Sequence, residues 1–377
     1  MIQVLEALAG VVVVGATLLD VFQSIVTPRP AGGRLRISRY ATRWLWRACR
    51  WAALHRSDTR AREGLLGSFG PAIVLVYLGL WLTLLLVGYG LLFDALAGQV
   101  RPHPTNLGTS LYFAGTSLFT IGFGDYVGTT PIARALSLAA GATGLGVLAL
   151  VVTFLFSLYG AFQRREVAVV TLEAGAGAPP SGLTLLESFA HAGIVEDLAG
   201  VFQYWQGAAA EILDSHLAYP VLAYFRSSHD NDSWVSSLGA VMDAATLVLT
   251  TVDGSPADTR RVKGWASMSR AVLGHCIEDM VIYFGLPDQR DAGVDREQYG
   301  QARERLERAG YALRDEVAGW DDFRAMRAEY AGRINALAVY WASPPALWIG
   351  GTHDPGASPG HGDRPQPGSR GPRSGGR

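Results

Sequence analysis

Lysine is almost missing from this chain: among its 377 residues only Lys263 is one, and arginine supplies nearly all the positive charge. That skew reads as a genomic composition bias and implies no mechanism. Cysteine is equally scarce. Cys49 and Cys276 lie far apart and without metal-ligand spacing, which excludes a disulfide scaffold and a cysteine-rich zinc module. Charge is thin throughout, at 17% of residues against about 25% in ordinary soluble domains. The net charge of −1 gives no global pull toward nucleic acid. A charge deficit with a positive mean hydropathy says that lipid solvates part of the chain. Enzyme chemistry is absent as a pattern too. Asp214-Ser215-His216 and His229-Asp230 lack the surrounding context that a nucleophile motif requires. No organic cofactor is expected.

What is present is three apolar runs long enough to cross about 30 Å of hydrocarbon, which takes about 20 helical residues. They extend from about Val4 to Ile25, from about Pro71 to Leu96 and from about Ala135 to Phe162. The third would be about 42 Å long at about 1.5 Å per residue and should overshoot the bilayer. The first is preceded by Glu6 and no basic residue and is followed by arginines. A cleaved signal has the opposite flanks, so residues 1–27 read as a retained transmembrane anchor.

The arginines set the expected orientation. Between Pro28 and Gly67 stand Arg29, Arg34, Arg36, Arg39, Arg43, Arg47, Arg50, Arg56, Arg60 and Arg62, against Asp58 and Glu63 alone. Loops this basic stay cytoplasmic. The chain is therefore expected to be a multi-pass protein of the cell membrane, with its N-terminus outside and its C-terminus cytoplasmic. Residues 97–133 then face the exterior, and Arg164 and Arg165 agree. Arg36, Arg39, Arg43, Arg47 and Arg50 recur every three or four residues and share one helix face. Leu45 and Ala52 fall opposite, Trp44 and Trp51 to one side and Trp46 nearer the stripe. A voltage sensor needs a four-helix unit, for which there are too few helices before the third span. Residues 28–70 are instead expected to form a basic cytoplasmic segment on the inner leaflet, with residues 34–60 meeting anionic headgroups. Docking on the C-terminal part of the chain is the alternative. Asp20, an ionisable residue inside the first span, is expected to pair with a nearby arginine.

The exterior loop carries the densest pattern. Thr120-Ile121-Gly122-Phe123-Gly124 places glycine at every second position, where a backbone must visit conformations that side chains forbid. Backbone that irregular persists at membrane depth only when protein buries it or it lines a wet cavity. Asn106 is placed to cap a short helix running to Leu118, whose negative end would face such a cavity. With Asp125, the run resembles the signature of the prokaryotic potassium-channel family, in its single pore-loop form with an extra N-terminal transmembrane helix. The likeness covers residues 71–162. It implies an all-α membrane protein: outer helix 71–96, pore helix 107–118, filter 120–124 and inner helix 134–162. It also implies that carbonyls of Thr120, Ile121, Gly122, Phe123 and Gly124 replace the water shell of K+. The Thr120 hydroxyl would add the innermost ring, and Ile121 and Phe123 would pack behind. Asp125, Tyr112 and Phe113 would brace the filter, and Gly144 would be the gating hinge or a packing residue. Arg134 also falls where the family often has a basic residue.

Two departures stand out. Phe119 replaces a second threonine, and Thr116 stands where many relatives have a glutamate partner for the filter aspartate, so Tyr112 is the candidate partner of Asp125. One filter strand per chain implies a homotetramer. The function implied is passive, potassium-selective conduction, with K+ as the transported ion and no other metal. A weakly selective cation pore and a non-conducting membrane sensor are the alternatives.

Residues 163–345 read as a helical cytoplasmic domain, with candidates at 184–212, 233–252, 263–284, 296–317 and 320–342. The stretch 167–177 superficially resembles a strand entering a nucleotide-binding turn, but Pro179-Pro180 breaks that pattern. Residues 234–252 are nearly apolar enough to span, yet Asp243 at their centre makes a core helix the better reading. His275, Cys276, Glu278 and Asp279 read as ordinary polar and buried residues. The Gly/Pro/Ser/Arg-rich residues 346–377 cannot bury a core and are expected to be disordered.

Overall fold

The computed structural model describes residues 1–27, 36–227, 233–253, 257–343 and 348–349. Arg29, Arg34, His229, Asp230 and the expected tail other than 348–349 lie outside the described residues. The protein is an all-α membrane protein, and three of its helices are long and apolar enough to cross a bilayer. These are α1 (Ile2–Ile25), α3 (Thr59–Ala95) and α5 (Pro131–Ala176). Helix α2 (Ile37–Leu54) separates the first two, and α4 (Leu107–Leu118) lies between the second and third.

Both long helices outrun their apolar cores. The side chain of Asp58 accepts from the Arg60 N–H at the start of α3, so the helix begins well ahead of Pro71. Pro71 then lies inside the helix, where it has no N–H to give the Gly67 carbonyl and its ring crowds that carbonyl. Helix α5 starts on a Thr130 cap with Pro131 in its first turn. It passes Arg164 and Arg165 and ends only at Gly177, whose φ is +80°. The inner boundary expected at 162 marks where the lipid-like composition stops, whereas the helix ends where the backbone must turn left-handed. The turns of α5 beyond it bury Ala168, Val169 and Leu172 against the C-terminal helices.

Helices α1 and α3 cross at Gly10 and Gly88. A Cβ on Gly10 would lie 2.7 Å from the Gly88 carbonyl oxygen, so these backbones touch. Asp20 is fully buried in the same bundle and, among the described residues, does not pair with an arginine. The Trp81 indole donates to it at 2.7 Å, and the Ser38 hydroxyl and N–H donate at 3.1 and 3.3 Å. The start of α2 thus supplies two neutral donors, while Arg36 donates to the Gln23 carbonyl instead.

The C-terminal domain packs α6 (Gly182–His191), α7 (Leu198–Ala218), α8 (Trp234–Thr250), α9 (Ala257–Phe284), α10 (Arg296–Arg308), α11 (Glu316–Ala328) and α12 (Ala331–Trp341). Three of the expected helices are divided or shortened. Gly193 and Gly310 take positive φ, which ends α6 and stops α10 at Arg308, and a turn at Glu329–Tyr330 parts α11 from α12. Helix α8 is the hydrophobic axis of this domain, buried on every side. Its Asp243 receives Arg327 Nε at 2.9 Å and the Tyr330 hydroxyl at 2.6 Å. Trp348, which the sequence assigned to the tail, packs on Phe323 with ring centroids 4.9 Å apart.

Candidate functional site

The site begins with α4. The Asn106 side chain accepts from the Thr109 N–H at 3.0 Å, supplying one of the acceptors that an N-terminus lacks. Helix α4 is then held on α3 at three points. Phe113 meets Phe93 at a centroid distance of 4.5 Å, and Ser110 donates to Asp94 at 2.8 Å. Gly90 leaves room for Leu111, which a Cβ would approach to 2.5 Å. On the other side α4 meets α5 at Gly144. A Cβ there would sit 1.9 Å from the Leu118 carbonyl oxygen, so the end of α4 rests directly on the α5 backbone. Helix α5 is continuous through this point, and close approach is by itself a physical reason for glycine there.

After α4 the chain turns back on itself. The Thr116 carbonyl accepts from the N–H groups of both Ile121 and Gly122, at 2.9 and 3.2 Å. Thr120, Gly122 and Gly124 take φ of +55°, +60° and +81°, while Ile121 and Phe123 between them do not. Left-handed residues at every second position turn successive peptide planes the same way, so consecutive carbonyls can share one side of the strand. A Cβ at Gly122 or Gly124 would meet nothing within 4 Å, so conformation, not space, requires glycine there. Thr120 adopts the same region despite its branched side chain, a strain that residues held at functional sites often carry.

Beyond the strand, Asp125 lies near the Tyr112 hydroxyl. Tyr126 places its ring edge-on to Tyr112, with centroids 6.0 Å apart, and nearer the plane of Phe113 at 6.5 Å. The segments β1 (Val100–Arg101) and β2 (Val127–Gly128) pair antiparallel and close the base of the loop. Arg134 donates to the Gly128 carbonyl at 3.1 Å. Thr116 is buried and donates to the Phe113 carbonyl, so it leaves no side-chain partner for Asp125. Thr120 to Gly124 are exposed in the single chain, as are the side chains of Ile121 and Phe123.

Residues 73–160 match the family described as ion channel. They are an ion channel domain. The match takes in α3 from Ile73, all of α4, the glycine strand and α5 as far as Gly160. The chain is also similar to the uncharacterized membrane protein YdjJ of Bacillus subtilis (strain 168). The two are 22% identical over 245 residues, covering 64% of this chain and 68% of that one. That length exceeds the channel domain, so the likeness runs into the flanking helices. No solved structure matches the chain.

Away from the channel domain, the arginine stripe divides. Arg36 is buried, Arg39 lies 6.0 Å from the Tyr283 ring, Arg50 donates to the Val339 carbonyl, and Arg47 stays exposed beside Trp44. Trp46 packs edge-on against Phe69 and Tyr224 and donates to the Tyr340 carbonyl. Helix α2 therefore turns much of its arginine face toward the C-terminal domain and shows Tyr40, Trp44 and Trp51 to the outside. Sequence spacing grouped the arginines correctly but could not say which side the protein would cover. His275 lies 3.5 Å from Asp279 on the α9 surface, whereas Cys276 is buried. Among the described residues no group of three or more His, Cys, Asp or Glu is placed to hold a metal.

Proposed function

We propose that the protein is a potassium-selective channel that conducts passively as a homotetramer. The observation that carries this reading is the alternation of left-handed residues at Thr120, Gly122 and Gly124. Selectivity requires rings of backbone oxygen that replace the hydration shell of the ion, and a strand of alternating hand aims successive carbonyls at one axis. One chain contributes one such strand, exposed on its own, so a closed ring needs further copies. The Thr120 hydroxyl extends the oxygen column inward, and Asp125, with Tyr112 and Phe113 behind it, braces its outer end. The carboxyl end of α4 directs its partial negative charge to the ion entering from within. In this reading the N-terminus lies outside and the C-terminal helices are cytoplasmic, as the basic segment after α1 favours.

Reconstitution of the full chain in liposomes under opposing K+ and Na+ gradients tests the reading. The reversal potential should follow the K+ gradient, and Gly122→Ala should abolish the flux. An alanine held left-handed costs about 1–2 kcal/mol in every subunit. A reversal potential indifferent to K+ would leave a weakly selective pore. Native mass spectrometry should give a fourfold assembly.

A further inference from the structure

The spans and the C-terminal domain do not close completely on each other. Between them is a cleft with about 60 Å³ of free space, lined by Ser24 of α1, by Arg36, Arg39 and Arg43 of α2, and by Tyr283 and Phe284 at the end of α9. Ser38 and Thr42 of α2 add two hydroxyls, and the remaining walls are aromatic or apolar and come from α3, α5 and residues 219–224. That is room for a few water-sized groups, the scale of the atom cluster of a small anionic headgroup.

The charge in this cleft is one-sided. No aspartate or glutamate lines it. Among the described residues, none of Arg36, Arg39 and Arg43 takes part in an ion pair. Asp20, one turn away on α1, is already occupied by Ser38 and Trp81. Arg36 is only 7% exposed, yet its Nε has no hydrogen-bond partner. Tyr283 lines the same cleft as all three arginines: burial raises its pKa, and Arg36, Arg39 and Arg43 each pull it back down. A buried guanidinium with an open donor is expensive unless an anion completes it. Guanidinium forks match phosphate oxygens in particular.

A free phosphate would use the arginines but not the wall of Phe154, Tyr219, Val221 and Phe284. The cleft also lies beside the end of α1, and on another face of the same helix α2 Tyr40, Trp44 and Trp51 are exposed, as interfacial anchors usually are. We infer that this cleft binds one anionic phospholipid, its phosphate on Arg36, Arg39 and Arg43 and part of an acyl chain on the aromatic wall. The bound lipid would touch the anchor helix, the inner helix α5 and the C-terminal domain together, a position from which it can couple them. This site is distinct from the general attraction of a basic segment for a membrane, because Arg47 of the same stripe does not line it.

The test is a binding measurement on the detergent-purified full chain and is independent of conduction. Native mass spectrometry is read while dioleoyl phosphatidylglycerol, dioleoyl phosphatidylcholine or inorganic phosphate is titrated. Phosphatidylglycerol should bind saturably and at least about ten-fold more tightly than phosphatidylcholine. The R39Q/R43Q double variant should weaken it about ten-fold or more, while R47Q changes it less than about two-fold. Y283F, which removes one hydroxyl, should weaken binding several-fold and serves as the readout if the double variant does not fold. Equal loss in R47Q would reduce the site to diffuse surface charge. Equal affinity for the two lipids, or displacement of the lipid by millimolar phosphate, would overturn the lipid assignment, the latter in favour of a soluble anion.

Discussion

Gly144 illustrates how much one methyl group can decide. A Cβ 1.9 Å from the Leu118 carbonyl must push α4 off α5, whereas a Cβ at Gly146 meets nothing within 4 Å. Gly144→Ala is expected to destabilise by about 1–3 kcal/mol, the usual cost of overpacking. Gly146→Ala is expected to be neutral or to stabilise by up to about 1 kcal/mol through helix propensity. The thermal midpoint of the detergent-purified protein checks both. At His216 the relevant chemistry is a proton. The ring is buried, Nε2 faces Arg165 at 3.2 Å, and Nδ1 donates to the Ile212 carbonyl at 2.8 Å. Burial first, and the Arg165 charge second, hold its pKa well below the ordinary histidine value, against a smaller opposing effect from the Ile212 carbonyl. The unfolded chain then takes up the proton before the folded one does. Stability is complete above the ordinary value near 6.5 and declines as pH falls below it. His216→Gln should flatten that part of the pH–stability curve, as measured by denaturant titration between pH 7 and pH 5.

Among the elements, α8 carries a deeply buried ion pair. Its Asp243 is 1% exposed and depends on Arg327 and Tyr330. Removing one partner of such a pair leaves an uncompensated buried charge, so Arg327→Met is expected to cost about 3–5 kcal/mol. The double change Arg327→Met with Asp243→Leu should recover much of that loss, and the two denaturation midpoints test it. The identity of α8 as a core helix was legible from Asp243 alone, because a lone carboxylate is costly in lipid. Its partner was not, since Arg327 lies 84 residues further on. A similar limit explains the divided C-terminal helices. Apolar spacing runs across Gly193 and the 329–330 turn without interruption, and only packing shows where the chain must bend.

At the scale of the whole molecule, the orientation can be read from two introduced thiols. The native cysteines interfere little. Burial pushes Cys276 up to about 12, with a smaller push from Asp279, and Cys49 is raised by burial against the pull of Arg226. Thr105→Cys in the loop before α4 should react with an impermeant maleimide added to intact cells. Gln203→Cys on the exposed face of α7 should react only after the membrane is opened, and the reverse pattern would invert the proposed topology.

What the amino-acid order determined by itself is local: the three apolar runs, the Asn106 cap and the glycine alternation at 122 and 124. Each follows from solvation or backbone sterics within a few residues, so no distant contact is needed to read it. What tertiary structure alone decided is pairing across the chain. Asp20 found Trp81 and Ser38 instead of an arginine, Gly144 met the end of α4, and the arginine stripe turned toward the C-terminal domain. Such partners are selected by whichever groups the packed helices bring within about 3 Å, and spacing along the sequence holds no record of that distance.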